Sequence, residues 1–245
     1  MARADSGAAS AGRVFIDLHC HTSASFDSLS RPAAVVRAAA ARGLTHLAIT
    51  DHERIDGALA ARDAAPAELS VIVGQEVRTQ QGDLIGLYLE RAIEPGLPAL
   101  EAARRVRGQG GVVGVPHPFD RFRASGGRRT SEDEWQALLA EVDYVEAWNA
   151  RVMVGDGNLR AAEMAHRRGL PGVAASDAHT LMEVGVAYTI LAGPIDSAEQ
   201  LRTALAAGPE MITGRSSRLV RAGMPLFKGV QWLRGNRRIR PTASA

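Results

Sequence analysis

The sequence predicts an α/β fold in which helices pack outside a barrel-sized, largely parallel sheet, and three observations predict it. Short apolar runs of strand type alternate with helical stretches from about residue 14 to residue 213, the rhythm of successive βα units. A length of 245 residues suits one α/β barrel, and no linker divides it. Five of the seven histidines stand at or just beyond the C-terminal ends of the expected strands, where parallel α/β folds gather their functional groups.

The elements follow in order. Residues 14–19 are a β-favouring apolar run. Pro32 opens a helix reaching Arg42, because proline in a first turn sacrifices no hydrogen bond, and Gly43 ends it. Residues 44–50 read as a strand, 55–63 as a short helix, 69–74 as a third strand and 84–89 as a fourth. A helix from Pro98 to Arg107 precedes a buried-type strand at 112–115. Ser131 with Glu134 three residues on is a capping-box signature, so a helix starts there and runs through Leu139. Residues 144–148 are a strand, 159–168 a helix closed by Gly169, 172–175 a strand, 197–206 a helix and 211–213 a last short strand.

Composition narrows the function classes. With 46% hydrophobic and 23% charged residues the chain is of ordinary globular type, and no run approaches the roughly 18 apolar residues that span a bilayer. Residues 1–12 lack an apolar core after a basic start and read as a disordered leader, not a signal peptide. The single cysteine, Cys20, excludes an internal disulfide framework and suits the cytoplasm. Residues 215–245 hold eight basic residues and no acidic one, so against a net charge of +2 the preceding 214 residues carry −6. The expected organisation is therefore a leader (1–12), a catalytic domain (13–214) and a basic extension (215–245). That extension is either solvated, docked on its own domain, or an attraction for anionic lipid or nucleic acid. Leu226, Phe227, Trp232 and Leu233 make peripheral membrane contact conceivable, whereas Gly223, Pro225 and Gly229 argue against one continuous helix.

His19 and His21 end the first strand, His52 the second, His117 follows residues 112–115, and His179 follows residues 172–175. Glu76, Asp177 and Glu146 stand at equivalent places. Two-residue spacing on a strand turns His19 and His21 to one face and Cys20 to the other. Imidazole with carboxylate and no thiolate favours Zn, Mn or Fe. His46, at the opposite end of its strand, and His166, in a helix beside two arginines, read as structural or solvated. Asp51 reads as a group that orients a ligand histidine.

Asp17-Leu18-His19-Cys20-His21-Thr22, Thr50-Asp51-His52, Gly74-Gln75-Glu76, Pro116-His117-Pro118 and Ser176-Asp177-Ala178-His179 resemble, in order, the successive motifs of the PHP (polymerase and histidinol phosphatase) superfamily. The resemblance spans residues 14 to about 190. It implies a distorted (β/α)7 barrel carrying a cluster of two or three divalent ions. By position, one ion takes His19, His21, Glu76 and Asp177; a second shares Glu76 and adds His117; a third takes Asp27, His52 and His179. The chain departs from the family where many members add a histidine after the bridging glutamate. Asp83 stands there instead, and Glu146 or Asn149 is a further candidate ligand from another strand, so the number of ions stays open between two and three.

The resemblance implies hydrolysis of a phosphate ester by metal-activated water, with Asp177 and His52 as candidate catalytic residues. Arg151, Arg123 and Arg121 are candidates to grip phosphate. The expected substrate is a small phosphomonoester or nucleotide, and no stable nucleic-acid partner is expected, since aromatics are only 4% of the chain. Histidinol phosphate, a 3′-end nuclease activity, and a non-catalytic membrane- or partner-binding module are the alternatives.

Overall fold

A computed structural model describes residues 12–120 and 131–239. Its first half follows the expected rhythm: β1 (Arg13–Cys20), α1 (Pro32–Ala41), β2 (His46–Ile49), α2 (Asp56–Asp63) and β3 (Ser70–Arg78), with the three strands parallel. After β4 (Asp83–Leu87) come α3 (Ala99–Arg107), β5 (Val112–Val115), α4 (Glu132–Leu139), β6 (Tyr144–Asn149), α5 (Gly157–Arg168) and β7 (Gly172–Ala175). The chain continues through β8 (Tyr188–Ala192), α6 (Ala198–Ala206), β9 (Glu210–Ile212) and α7 (Arg218–Leu233).

The sheet order is β7-β6-β5-β4-β3-β2-β1-β8-β9. It curls until its ends meet, because the chain leaving β7 returns to the end of β1. Asp177 N–H donates to the His19 carbonyl at 2.9 Å and His21 N–H to the Ala178 carbonyl at 2.8 Å. Below that seam β8 lies antiparallel on residues 13–16 of β1, so the barrel closes at its C-terminal mouth and is held apart at its base. One hydrophobic layer, including Ile16, Leu18, Ile85 and Tyr144, fills the space between strands and α6, while two others seat α1–α2 and α3–α5. Gly114 is required in that interior, since a Cβ there would run into the Tyr144 ring.

Three features differ from the sequence reading. β4 is antiparallel to both β3 and β5: four residues separate it from β3, too few for a crossover helix, so the pair must be a hairpin. β8 went unrecognised because residues 188–192 are a short apolar run with no helical partner before them. The C-terminal extension forms α7 as one continuous helix with Pro225 inside it. Ser217 caps its start, and side chains of the segment, described below, anchor it to the body. The capping box at Ser131 and Glu134 and the Gly169 terminus, at φ 63°, form as the residue pattern predicts.

Candidate metal centre

The seam sets the site. His19 and His21 project from one side of it, Asp177 and His179 from the other, and Cys20 turns away into the apolar layer under α1 and α2. The hairpin pairs Arg78 with Asp83 and Glu76 with Ile85, so Glu76 and Asp83 share a face although seven residues apart. His52 follows β2 and bridges to Glu76 in the parallel sense, and His117 follows β5. Asp27 reaches in from the 21–30 loop. His117, Asp177 and Glu53 hold left-handed backbone with φ of 30°, 52° and 56°, a conformation that persists in ordinary residues only where surroundings enforce it.

Glu76 stands at the centre. Its Oε2 lies 3.0 Å from His52 Nδ1, 3.5 Å from His21 Nε2 and 3.6 Å from His19 Nε2. Its Oε1 lies 3.1 Å from His117 Nε2. The Nε2 atoms of His19 and His21 converge to 2.9 Å, and Asp177 Oδ1 is 3.7 and 3.5 Å from them. Asp27 Oδ1 lies between His52 Nε2, at 3.5 Å, and His179 Nε2, at 3.4 Å. Three groups bring single ligand atoms within 4.8 Å of one another: His19–His21–Glu76, His21–His52–His179 and Glu76–Asp83–His117. The last contains Asp83, the carboxylate standing where many family members carry a histidine.

This donor set fits divalent cations. Asp27, Glu76, Asp83 and Asp177 are all buried, and buried carboxylates in such number need compensating charge. Asp27 Oδ1 and Asp83 Oδ1 are buried without a hydrogen-bond partner. Burial works to raise the Asp27 and Glu76 carboxyls, but the facing histidines hold both well below the usual carboxylate range. Burial and the neighbouring Glu76 push Asp83 up. Burial, helped by Arg151, pushes His179 down to about 3, and burial with His52 lowers His21, so both rings are neutral near pH 7 and keep a lone pair for an ion.

The groups behind the candidate ligands divide the sequence candidates. Glu146, a candidate ligand by position, instead stands behind His19: its Oε1 accepts from His19 Nδ1 at 2.6 Å, and its Oε2 accepts from the His117 N–H at 3.0 Å and from Asn149 Nδ2 at 2.8 Å. Asn149 Nδ2 also donates to Asp177 Oδ2 at 3.1 Å. Asp51 takes the orienting place read for it, through an intermediary the sequence reading missed. Ser25 Oγ donates to Asp51 Oδ1 at 2.6 Å, touches His21 Nδ1 at 3.1 Å and accepts the His52 N–H at 3.1 Å. A small hydroxyl in a loop carries no signal of such a role. The Arg151 guanidinium contacts His179 Nδ1 and lies 4.0 Å from Asp177 Oδ1. Arg121 and Arg123 lie outside the described residues. His46 sits at the far end of the barrel, its Nε2 3.1 Å from the Ile195 carbonyl.

A cavity of about 550 Å³ opens over this cluster. Arg78 and Arg151 line it from the barrel, and Arg221, Lys228 and Arg238 line it from the C-terminal segment. The basic extension is thus docked on its own domain. Gln231 Nε2 donates to the carbonyls of Ser23, Ser25 and Ser28 at 2.5–2.9 Å, and Asn236 Nδ2 to those of Ser23, Ala24 and Ser25 at 3.0–3.2 Å. Both anchors grip the loop that carries Asp27. Among the described residues no helix is long and apolar enough to cross a membrane.

Five imidazoles and four buried carboxylates around one mouth define an α/β barrel suited to a cluster of divalent ions. Family comparison agrees: the PHP domain model matches residues 17–141, and the PHP-associated (PHP_C) model matches residues 155–209. The chain belongs to the PHP family. It is 33% identical over 174 residues to an uncharacterized protein of Methanocaldococcus jannaschii, covering 71% of this chain and 68% of that one. It is 27% identical over 142 residues to a 5′-3′ exoribonuclease of Haemophilus influenzae, 53% of this chain and 52% of the relative. A two-domain protein of Bacteroides vulgatus that contains a predicted PHP-like metal-dependent phosphoesterase superposes with a TM-score of 0.67 at 17% identity, over 82% of this chain and 65% of that one. Endonuclease Q, solved with a 27-mer duplex bearing an abasic lesion, superposes with a TM-score of 0.61 at 17% identity, over 81% of this chain and 58% of that one. These two likenesses concern the fold.

Proposed function

We propose that the chain hydrolyses a phosphate ester, a small phosphomonoester or a nucleotide, at two or three divalent ions (Mn, Zn or Fe). The observation that carries this reading is Glu76, whose two oxygens face two different ligand groups, His52 with His19 and His21 on one side and His117 on the other. That placement supports reading Glu76 as a carboxylate that would be shared between two ions. Under this reading His19, His21, Glu76 and Asp177 hold one ion, Glu76, Asp83 and His117 a second, and Asp27, His52 and His179 a third, with Glu146 orienting His19. Ions held there supply Lewis acidity toward phosphoryl oxygens and lower the pKa of water.

The chain's own groups do the rest. Arg151, at the inner wall of the cavity, offers a planar two-pronged donor to the equatorial oxygens. Asp177 is held by Asn149 and lies within 4.0 Å of that guanidinium, so the carboxyl expected to assist the leaving oxygen and the group that grips the ester are neighbours. His52 spans Asp27 and Glu76, linking two ligand groups. Elemental analysis of purified protein, paired with p-nitrophenyl phosphate turnover with and without chelator, tests the reading. Two or three ions per chain with chelator-sensitive turnover support it; no bound metal, and no turnover after metals are restored, overturns it.

A further inference from the structure

Residues 218–239 lie beyond both family matches, at 17–141 and 155–209, yet they wall the cavity above the candidate ions. A second groove, of about 590 Å³, lies beside it, lined by Phe26, Lys228, Trp232, Asn236, Arg237 and Arg238. Phe26, Lys228 and Arg238 line both spaces, so the outer groove adjoins the cavity over the metal centre.

Cations lie on rings in this groove. Lys228 Nζ is 5.5 Å and Arg238 Cζ 5.1 Å from the centre of the Phe26 ring, and Arg237 Cζ is 4.8 Å from that of Trp232. Phe26 itself rests 4.9 Å from the His52 ring, next to the ligands. Trp232 is 55% exposed at the outer end, a position that packing does not explain.

We infer that this groove, formed by Phe26 and the C-terminal segment, binds the nucleotides adjoining the reacting phosphate of a short single-stranded oligonucleotide. The inference rests on the phosphoesterase reading and narrows its substrate. Alternating rings and cations suit single strands, whose bases stack on aromatic faces or on arginine planes while cations follow the phosphates. Charge favours the same occupant. Two or three divalent ions carry +4 to +6 against the four carboxylates Asp27, Glu76, Asp83 and Asp177, so those acids are spent on the ions. Lys228, Arg237 and Arg238 then need negative charge from elsewhere: among the described residues no acidic one lines the outer groove, and the buried Glu53, 3.7 Å from Arg238 Nε, faces only one of the three. A compact monoester would end at Arg151 and leave the outer groove without a role. The sequence reading expected no stable nucleic-acid partner from the scarcity of aromatics; the fold sets two of those few in one groove.

Fluorescence anisotropy of fluorescein-labelled, 5′-phosphorylated hexathymidylate, measured on the full chain in low salt with calcium in place of its own ions, tests the groove independently of catalysis. Saturable binding that weakens with salt is expected. Trp232→Ala should raise Kd about tenfold, the loss of one stacked base, and Trp232→Phe should restore most of it. Arg237→Gln should weaken binding and flatten the salt dependence. With metals restored, the ratio of kcat/KM for hexathymidylate to that for p-nitrophenyl phosphate should fall about tenfold in Trp232→Ala. Absence of saturable binding, or a Kd unchanged in both Trp232→Ala and Arg237→Gln, overturns the proposal. So does co-sedimentation with phosphatidylserine vesicles without oligonucleotide binding, which would assign the segment to a membrane. Oligonucleotide binding without any turnover would leave the groove standing and overturn the phosphoesterase reading instead.

Discussion

Replacing Glu146 by Gln separates an orienting carboxylate from a metal ligand. Glu146 accepts three hydrogen bonds at a fully buried position, from His19 Nδ1 at 2.6 Å, the His117 N–H at 3.0 Å and Asn149 Nδ2 at 2.8 Å. Burial works to raise its carboxyl, but His19 opposite holds it below its usual range, so the native group is an anion. Glutamine is nearly isosteric and keeps one acceptor oxygen. Turned to His19, that oxygen leaves the amide nitrogen facing two other donors; turned away, it leaves His19 Nδ1–H unmet. One or two buried donors lose their acceptor in either case, each costing about 1–3 kcal/mol. In a domain of this size that lowers Tm by roughly 2–4 °C for each kcal/mol. The larger consequence is at the metal. The carboxylate fixes the His19 proton on Nδ1 and so keeps the Nε2 lone pair aimed at the centre, and losing such a partner lowers metal affinity roughly 10–100-fold. Calorimetric titration of chelator-stripped protein, with elemental analysis at saturating metal, reads both quantities. Affinity should fall within that range while the number of ions per chain is unchanged. Loss of one whole ion at saturation would refute the orienting role and return Glu146 to the ligands.

Three further outcomes follow from the geometry. His52→Ala and Asp177→Ala should each lower kcat/KM for p-nitrophenyl phosphate by about 100-fold or more while far-UV circular dichroism stays native, the scale of a lost metal contact or transition-state contact; near-native turnover in both would dispose of the assignment. Gln231→Ala leaves the carbonyls of Ser23, Ser25 and Ser28 without their shared donor, so hydrogen exchange in the 23–28 loop should quicken and stability fall by about 1–3 kcal/mol; unaltered exchange there would mean that the tail does not restrain the Asp27 loop. Burial pushes the His46 pKa below its usual 6.5, so between the lowered value and 6.5 the unfolded chain binds the extra proton. This contribution to stability is present above pH 6.5 and is lost as pH falls through the native value. Urea unfolding at pH 8 and pH 5 should therefore show the native chain losing more stability than His46→Gln, and parallel losses would contradict it.

The sequence made the strands and their C-terminal histidines legible because both are local signals, an apolar run and a polar residue after it. His19, His21, His52, His117 and His179 needed only the assumption that the strands line up, and the bend of the sheet did the remainder. Asp27 and Asp83 were readable only through the family resemblance, since neither lies at the C-terminal end of a strand. Glu146 shows where strand-end reasoning fails. It occupies the same kind of position as Glu76, but it reaches the back of a histidine, because the direction of a side chain depends on how strands tilt around the barrel. Ser25 and Glu53 left no sequence signal at all, and Lys228 and Arg238 were legible only as part of a basic extension. They matter through contacts between segments as distant as Ser23 and Gln231, which no periodicity encodes.

Asp17 explains why so many distant groups meet at one mouth. It opens the first family motif, is completely buried, and touches none of the candidate ligand atoms; its Oδ1 accepts the Ser176 N–H at 3.0 Å and the His19 N–H at 3.4 Å, and its Oδ2 accepts the Gly185 N–H at 3.1 Å. Burial raises its carboxyl to about 6 even though those donors act to lower it, so near neutral pH it is held as an anion at some cost in solvation. Its three donors come from both sides of the seam between β1 and the chain leaving β7. Backbone pairing at that seam is short, confined to residues 19–21 and 177–178, and the base of the barrel is wedged open by β8. A single carboxylate therefore staples the two chain segments that carry His19 and His21 on one side and Asp177 and His179 on the other. The first motif contributes structure as well as candidate ligands, with Asp17 holding the seam so that the histidines that follow it face Asp177 beyond β7.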